Sequence, residues 1–219
     1  MMTEHICDIF SAEISPLKDP ELFRSWMDRM PEERKRKILS LRPAESQRQS
    51  LGVGILLFRA MEQYSLEPMR HEIRAGKLGK PYLPDAPAFQ FNLSHSGERV
   101  LCAVSDRPVG CDVERIERDL TGLARRFFHP EEQAALAAVP EEERNALFVR
   151  LWTRKESYLK AKGTGISESL NGFSAVSPPG GVWYAEGPEI PGYVQSCCVI
   201  GEKEPSFRWH EVCLTGEPV

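Results

Sequence analysis

The order of helix and strand signals predicts an α+β fold. Two long amphipathic segments, at 44–64 and 141–162, each neighbour a group of short apolar strand candidates. No low-complexity linker separates the two groups. With 41% hydrophobic and 27% charged residues, the 219-residue chain has the balance of a globular protein with a substantial core.

The elements follow in order. A short strand is expected near Ile6 to Phe10, before Pro16 and Pro20 interrupt regular structure. Residues 20–30 read as a helix, with Leu22, Phe23, Trp26 and Met30 at helical spacing. Pro31 opens the next turn, and EERKRKILS follows as a run dense in positive charge. The helix at 44–64 draws its apolar face from Leu51, Ile55 to Leu57 and Phe58, while Gly52 and Gly54 permit close backbone approach. GKLGKPYLPD, at 76–85, is a loop by its glycines and prolines. Residues 88–93 and 99–105 read as strands joined around SHSGE, and 109–115 as a further buried strand. Helices are expected near 121–128, 130–138 and 141–162. The last carries a stripe of Leu147, Phe148, Leu151, Trp152 and Leu159, and Gly163 and Gly165 stop it. Trp152 is expected to be a buried packing residue. Residues 171–176, 182–185, 193–200 and 207–214 complete the strand candidates.

Composition excludes several classes. A net charge of −4 gives no general reason to bind nucleic acid. No stretch approaches the roughly 20 apolar residues that span a bilayer, and the acidic start lacks a signal-peptide pattern. The six cysteines form no pair of CxxC elements, which argues against structural zinc. A cytoplasmic protein with reduced thiols is the simplest expectation.

Three constellations carry possible chemistry. Asp112 and Glu114 lie two apart on a predicted strand, so both side chains share a face. Paired carboxylates need solvent, a cation or a metal, and magnesium suits oxygen ligands; an exposed strand face is the plainer alternative. In WTRKESYLK, Glu156 and Lys160 lie four apart on one helix face. They are either a surface ion pair or a carboxylate near a metal followed by a lysine near a phosphate. In FNLSHSGERV, His95 sits between two serines before a turn at Gly97. No GxSxG nucleophile elbow is present there, so His95 is either a phosphate contact or a surface histidine.

The chain also carries GKPYLPD at 79–85, FNLSHSGERV at 91–100, VGCDVERIE at 109–117, RRFFHPEE at 125–132 and LWTRKESYLKAKGTGI at 151–166. In this order and spacing they resemble the 4'-phosphopantetheinyl transferase superfamily, in particular its larger Sfp-type members. PEERKRK at 31–37 and SQRQSLGVG at 46–54 fit the larger form, whereas the tail after about residue 175 adds little.

The resemblance implies two similar α/β lobes about a pseudo-twofold axis, 1–105 and 106–219, with coenzyme A in the cleft between them. It assigns Asp112, Glu114 and Glu156 to magnesium, and Glu132 to an additional active-site acid. Lys160 becomes a phosphate-contacting lysine. Arg48, Lys80 and His95 become coenzyme A contacts, with Arg36 near the ribose phosphate. Many members carry lysine in this region, where this chain has Glu33 and Arg36, a departure that touches the nucleotide grip. The implied reaction moves the phosphopantetheine arm of coenzyme A to a serine of an apo acyl, peptidyl or aryl carrier protein. It releases adenosine 3',5'-bisphosphate, with Glu156 or Glu132 as base. A monomer serving secondary metabolism is implied, without nucleic-acid or membrane partners. A magnesium-dependent phosphatase or nucleotide hydrolase, and a noncatalytic carrier-binding module, are the competing classes.

Overall fold

The computed structural model describes residues 4–116, 120–165 and 169–215. Glu117 and Ile166, the last residues of two of the motifs, lie outside these ranges.

The architecture is α+β. Strand β1 (Ile6–Glu13) opens the chain, followed by helices α1 (Pro20–Asp28), α2 (Glu32–Ser40) and α3 (Ala44–Gln63). The charge-dense run at 32–40 is therefore a helix, with Ile38 as its buried anchor. Two short strands, β2 (Arg74–Ala75) and β3 (Pro81–Tyr82), pair within the loop region. Next come β4 (Gln90–Ser96), β5 (Arg99–Ser105) and β6 (Val109–Arg115). Helices α4 (Ala124–Phe127), α5 (Pro130–Ala138) and α6 (Glu141–Lys162) precede β7 (Val182–Glu186), β8 (Tyr193–Ile200) and β9 (Ser206–Glu211).

The first sheet has the order β4-β5-β1-β9, antiparallel except where β9 joins β1 in parallel. The second has the order β6-β8-β7 and is antiparallel. Alternation decides the layers. Phe10, Ala12, Val100 and Cys102 face a core with Leu51, Ile55 and Leu56 of α3. Cys7, Ile9, Leu101 and Ala103 point the other way and meet Val109, Cys111, Val113 and Cys197 of the second sheet. Helix α6 covers the far face of that second sheet, so the order through the molecule is helix, sheet, sheet, helix. The 105/106 boundary falls at the end of β5, and β9 returns from the second half to complete the first sheet.

One expected strand is replaced by irregular structure. Residues 171–176 form no ladder; a 3-10 turn at Leu170–Gly172 runs into bends. The reason is chemical. The carbonyls of Leu170 and Phe173 accept from Lys155, and the Ala175 N–H donates to Glu132. These backbone groups serve a buried ion pair instead of a neighbouring strand.

Among the described residues no disulfide forms, so all six cysteines stand as thiols. Among the described residues, no helix is long and apolar enough to cross a membrane.

Candidate active site

Strand β6 and helix α6 build the site, and a glycine lets them meet. Gly110, Asp112 and Glu114 share the face of β6 that looks toward α6. A Cβ at Gly110 would sit 2.0 Å from the Ser157 carbonyl oxygen and 2.4 Å from the Ala161 nitrogen. The helix backbone therefore rests directly on the strand there. That approach places Lys160, one turn after Glu156, over Asp112.

The Lys160 ammonium donates to Asp112 Oδ1 at 2.6 Å, to Ser94 Oγ at 3.1 Å and to the Cys111 carbonyl at 3.3 Å. Ser94 Oγ also donates to Asp112 Oδ1, at 2.9 Å. Asp112 is 3% exposed, and its Oδ2 is buried without a hydrogen-bond partner. Burial raises the pKa of Glu114 above the ordinary carboxylate value, and the charges of Asp112 and Glu156 add to the rise. Glu156 is raised in the same way, by burial and then by Asp112. Burial opposes the charge on Lys160, but Asp112, Cys111 and Glu156 together outweigh it and raise its pKa.

Three carboxylates thus crowd around one lysine, with a buried oxygen left unpaired. This donor set fits a hard divalent cation, which takes oxygen ligands. Among the described residues, no three His, Cys, Asp or Glu side chains form a ready-made metal cage; Lys160 neutralises Asp112 instead.

The remaining predicted residues are distributed more widely. His95 lies on β4 with part of its surface open to solvent; partial desolvation of the ring, and then the Lys160 charge, lower its pKa. The Lys80 ammonium donates to the Val109 carbonyl at 3.0 Å and the Ala161 carbonyl at 2.9 Å, tying the start of β6 to the end of α6. Burial lowers its pKa to about 8. Arg36 is exposed on α2. Arg48 borders a groove of about 460 Å³ with Lys18, Phe23, Arg24 and Leu39.

Glu132 is not brought to the carboxylate cluster. It is fully buried and pairs with Lys155, also fully buried, at 2.8 Å. Its oxygens also accept the N–H groups of His129 and Ala175. With the His129 ring accepting from Glu131 N–H, this makes a capping box at the start of α5. The sequence did hold a signal for this pair. Lys155 lies four residues after Leu151 and four before Leu159, inside the apolar stripe, where a charge requires a buried partner.

Trp152 is half-buried, contrary to the expected fully packed position. It stacks near Phe148 and meets Phe127 edge-on. It lines a cleft of about 630 Å³ with Glu45, Ser96, Glu114, Leu123 and Phe148. Residues of both sheets' helices and edges thus border one cavity beside the carboxylates.

Strand β6 and helix α6 of this α+β protein thus hold an acidic cluster and a lysine, with Glu114 of that cluster also lining the cleft, a donor set suited to a hard cation. Similar known proteins identify the family. The profile of the 4'-phosphopantetheinyl transferase superfamily matches residues 108–212. The 4'-phosphopantetheinyl transferase psf-1 of Bacillus pumilus is 35% identical over 176 residues, covering 76% of this chain and 73% of that protein. A 4'-phosphopantetheinyl transferase of Bacillus subtilis is 38% identical over 124 residues, 56% of this chain and 55% of that protein. HetI of Nostoc sp., also a 4'-phosphopantetheinyl transferase, is 41% identical over 132 residues, 58% and 56% respectively. In the latter two cases the chain spans about half the length of the relative it matches. The chain belongs to the 4'-phosphopantetheinyl transferase superfamily.

Proposed function

We propose that the protein transfers the 4'-phosphopantetheine arm of coenzyme A to a serine of an apo carrier protein. The observation that carries the reading is the meeting of Asp112, Glu114, Glu156 and Lys160 in a family whose named relatives are 4'-phosphopantetheinyl transferases. Asp112, Glu114 and Glu156 would hold magnesium. When bound, the ion supplies positive charge to the pyrophosphate of coenzyme A.

The chain's own groups do the rest. Lys160 sets a second positive charge beside the cluster, where it stabilises charge developing on the phosphate oxygens. The carrier serine attacks the phosphorus next to the pantetheine arm, and the bond to the leaving adenosine 3',5'-bisphosphate breaks. Glu156, on the face of α6 beside the cluster, accepts the serine proton, directly or through water. Glu132, with its carboxylate engaged by Lys155 and two N–H groups, holds α6 in place from behind. The two helix-on-sheet halves support a two-lobed reading, with coenzyme A in the cleft between them and His95 at its edge. Arg36, Arg48 and Lys80 would complete the nucleotide side after side-chain rearrangement. A cytoplasmic monomer acting on acyl, peptidyl or aryl carriers agrees with this reading.

The test is intact mass spectrometry of apo carrier domains incubated with the protein, coenzyme A and magnesium. A gain of one phosphopantetheine, abolished by replacing the carrier serine, is the expected result. Asp112→Ala is expected to reduce the rate by about 100-fold or more while the protein stays folded. Nucleotide cleavage without carrier modification would instead indicate a hydrolase.

A further inference from the structure

Two edge strands from different sheets lie side by side, yet no backbone ladder joins them. Side chains of β4 do so instead. Asn92 Oδ1 accepts from Cys111 N–H at 2.9 Å, Ser94 Oγ from Val113 N–H at 3.4 Å, and Ser96 Oγ from Arg115 N–H at 3.2 Å. The period of two on both strands keeps the rungs in step. The two serines each make a second bond. Ser94 Oγ donates to Asp112 Oδ1 and Ser96 Oγ to Glu114 Oε2, both at 2.9 Å.

Resting on the proposed transfer function, we propose that Ser94 and Ser96 are positioning residues that orient Asp112 and Glu114 for the cation. A hydroxyl has one proton. While its oxygen accepts the strand N–H, that proton is directed at the carboxylate on the preceding residue of β6. The bond selects which carboxylate oxygen is engaged and which is left for a cation. At Asp112 the choice is visible: Oδ1 takes Ser94 and Lys160, and Oδ2 has no partner. Ser96 does the same for Glu114 from the end of a hairpin that is itself fixed. Gln49 Nε2 donates to the Gly97 carbonyl at 2.9 Å, and Glu98 N–H donates to the Tyr193 phenol oxygen Oη at 3.0 Å. Gly97 has φ +51°, and a Cβ there would lie 2.5 Å from that phenol oxygen, so the turn admits little but glycine. The sequence signal for this row is the alternation Asn92, Ser94, Ser96, at the strand period of two.

Ser96 is the cleaner test, because Ser94 also contacts Lys160. Magnesium alone is titrated calorimetrically into chelator-stripped wild-type, Ser96→Ala and Ser96→Thr proteins, and the melting temperature of each is recorded without metal. Ser96→Ala is expected to weaken magnesium binding about 10-fold. Ser96→Thr keeps the hydroxyl, has the cleft for its methyl, and is expected to bind within about twofold of wild type. A purely structural serine would lower the melting temperature of Ser96→Ala and leave magnesium affinity unchanged. That result overturns the proposal, as does equal weakening in both variants or a wild-type protein that takes up no magnesium. No carrier or coenzyme A enters the titration, so its failure is separable from failure of the transfer reading.

Discussion

Helices α3 and α6 each cover one sheet, and they do so by opposite means. Under α3 the contact is apolar: Leu51, Ile55 and Leu56 are fully buried against Phe10, Val100 and Cys102. Under α6 the contact contains Asp112, Glu114, Glu156 and Lys160, with the Glu132–Lys155 pair one layer away. Each interface has a glycine at its closest approach, but the neighbours differ. A Cβ on Gly52 of α3 would meet Ile14 Cγ2 at 2.6 Å and Val100 methyls beyond 3 Å. A Cβ on Gly110 would meet helix backbone at 2.0 Å. Side chains can move aside, whereas a helix backbone cannot. The first layer holds the molecule together, and the second trades that tolerance for fixed charges.

The largest expected effect breaks the second layer. Gly110→Ala is expected to cost more than about 4 kcal/mol or to prevent folding, because the helix must lift off the strand. Gly52→Ala is expected to cost about 1–3 kcal/mol by local overpacking. Urea denaturation of both variants measures the contrast. Equal midpoints would show that the two glycines are equivalent and that the tight strand–helix contact is dispensable.

Next comes the buried pair. Lys155→Met is expected to destabilise by about 3–5 kcal/mol, because Glu132 is left buried and unpaired. Adding Glu132→Leu should recover much of that loss. The double variant also separates two roles for Glu132. If Glu132 only supports α6, transfer returns with the fold. A stable double variant without transfer would restore Glu132 to the chemistry.

The same contrast explains what was legible in the sequence. Strands 99–105 and 109–115 and helix 141–162 were readable to the residue, because each has unbroken alternation or an apolar stripe. Asp112 with Glu114, and Glu156 with Lys160, were readable as face-sharing pairs from spacing alone, and the structure joins the two pairs. The fold's non-local features were not readable. Nothing in 206–211 announces that this segment pairs in parallel with the first strand. The segment at 171–176 looked like a strand because its backbone partners, Glu132 and Lys155, lie far away in sequence. Family likeness places Glu132 among the reacting groups; Lys155 in the apolar stripe signals that a buried partner exists, and packing identifies that partner as Glu132.

The smallest expected effect has an unusual sign. Glu156 and Glu114 are both raised above the ordinary carboxylate value of 4.5, by burial first and then by neighbouring acids. A carboxylate with a raised folded pKa holds more protons folded than unfolded. Its ionisation therefore weakens the fold as pH rises from the ordinary value through the raised one. Glu156→Gln removes this cost. Without metal, the variant is expected to be more stable than wild type by about 0.5 kcal/mol, or roughly 1–2 °C in melting temperature, at about pH 8. Near about pH 4, where the carboxylate is already protonated, the gain should vanish. Magnesium should reverse the order, since it stabilises only a protein that binds it. Calorimetric melting at both pH values, with chelator and with magnesium, checks each arm. A variant that is less stable than wild type in chelator at about pH 8 would mean that Lys160 already satisfies all three acids. In that case the α6 layer would be a settled ion-pair network, closer in kind to the α3 layer than its charges suggest.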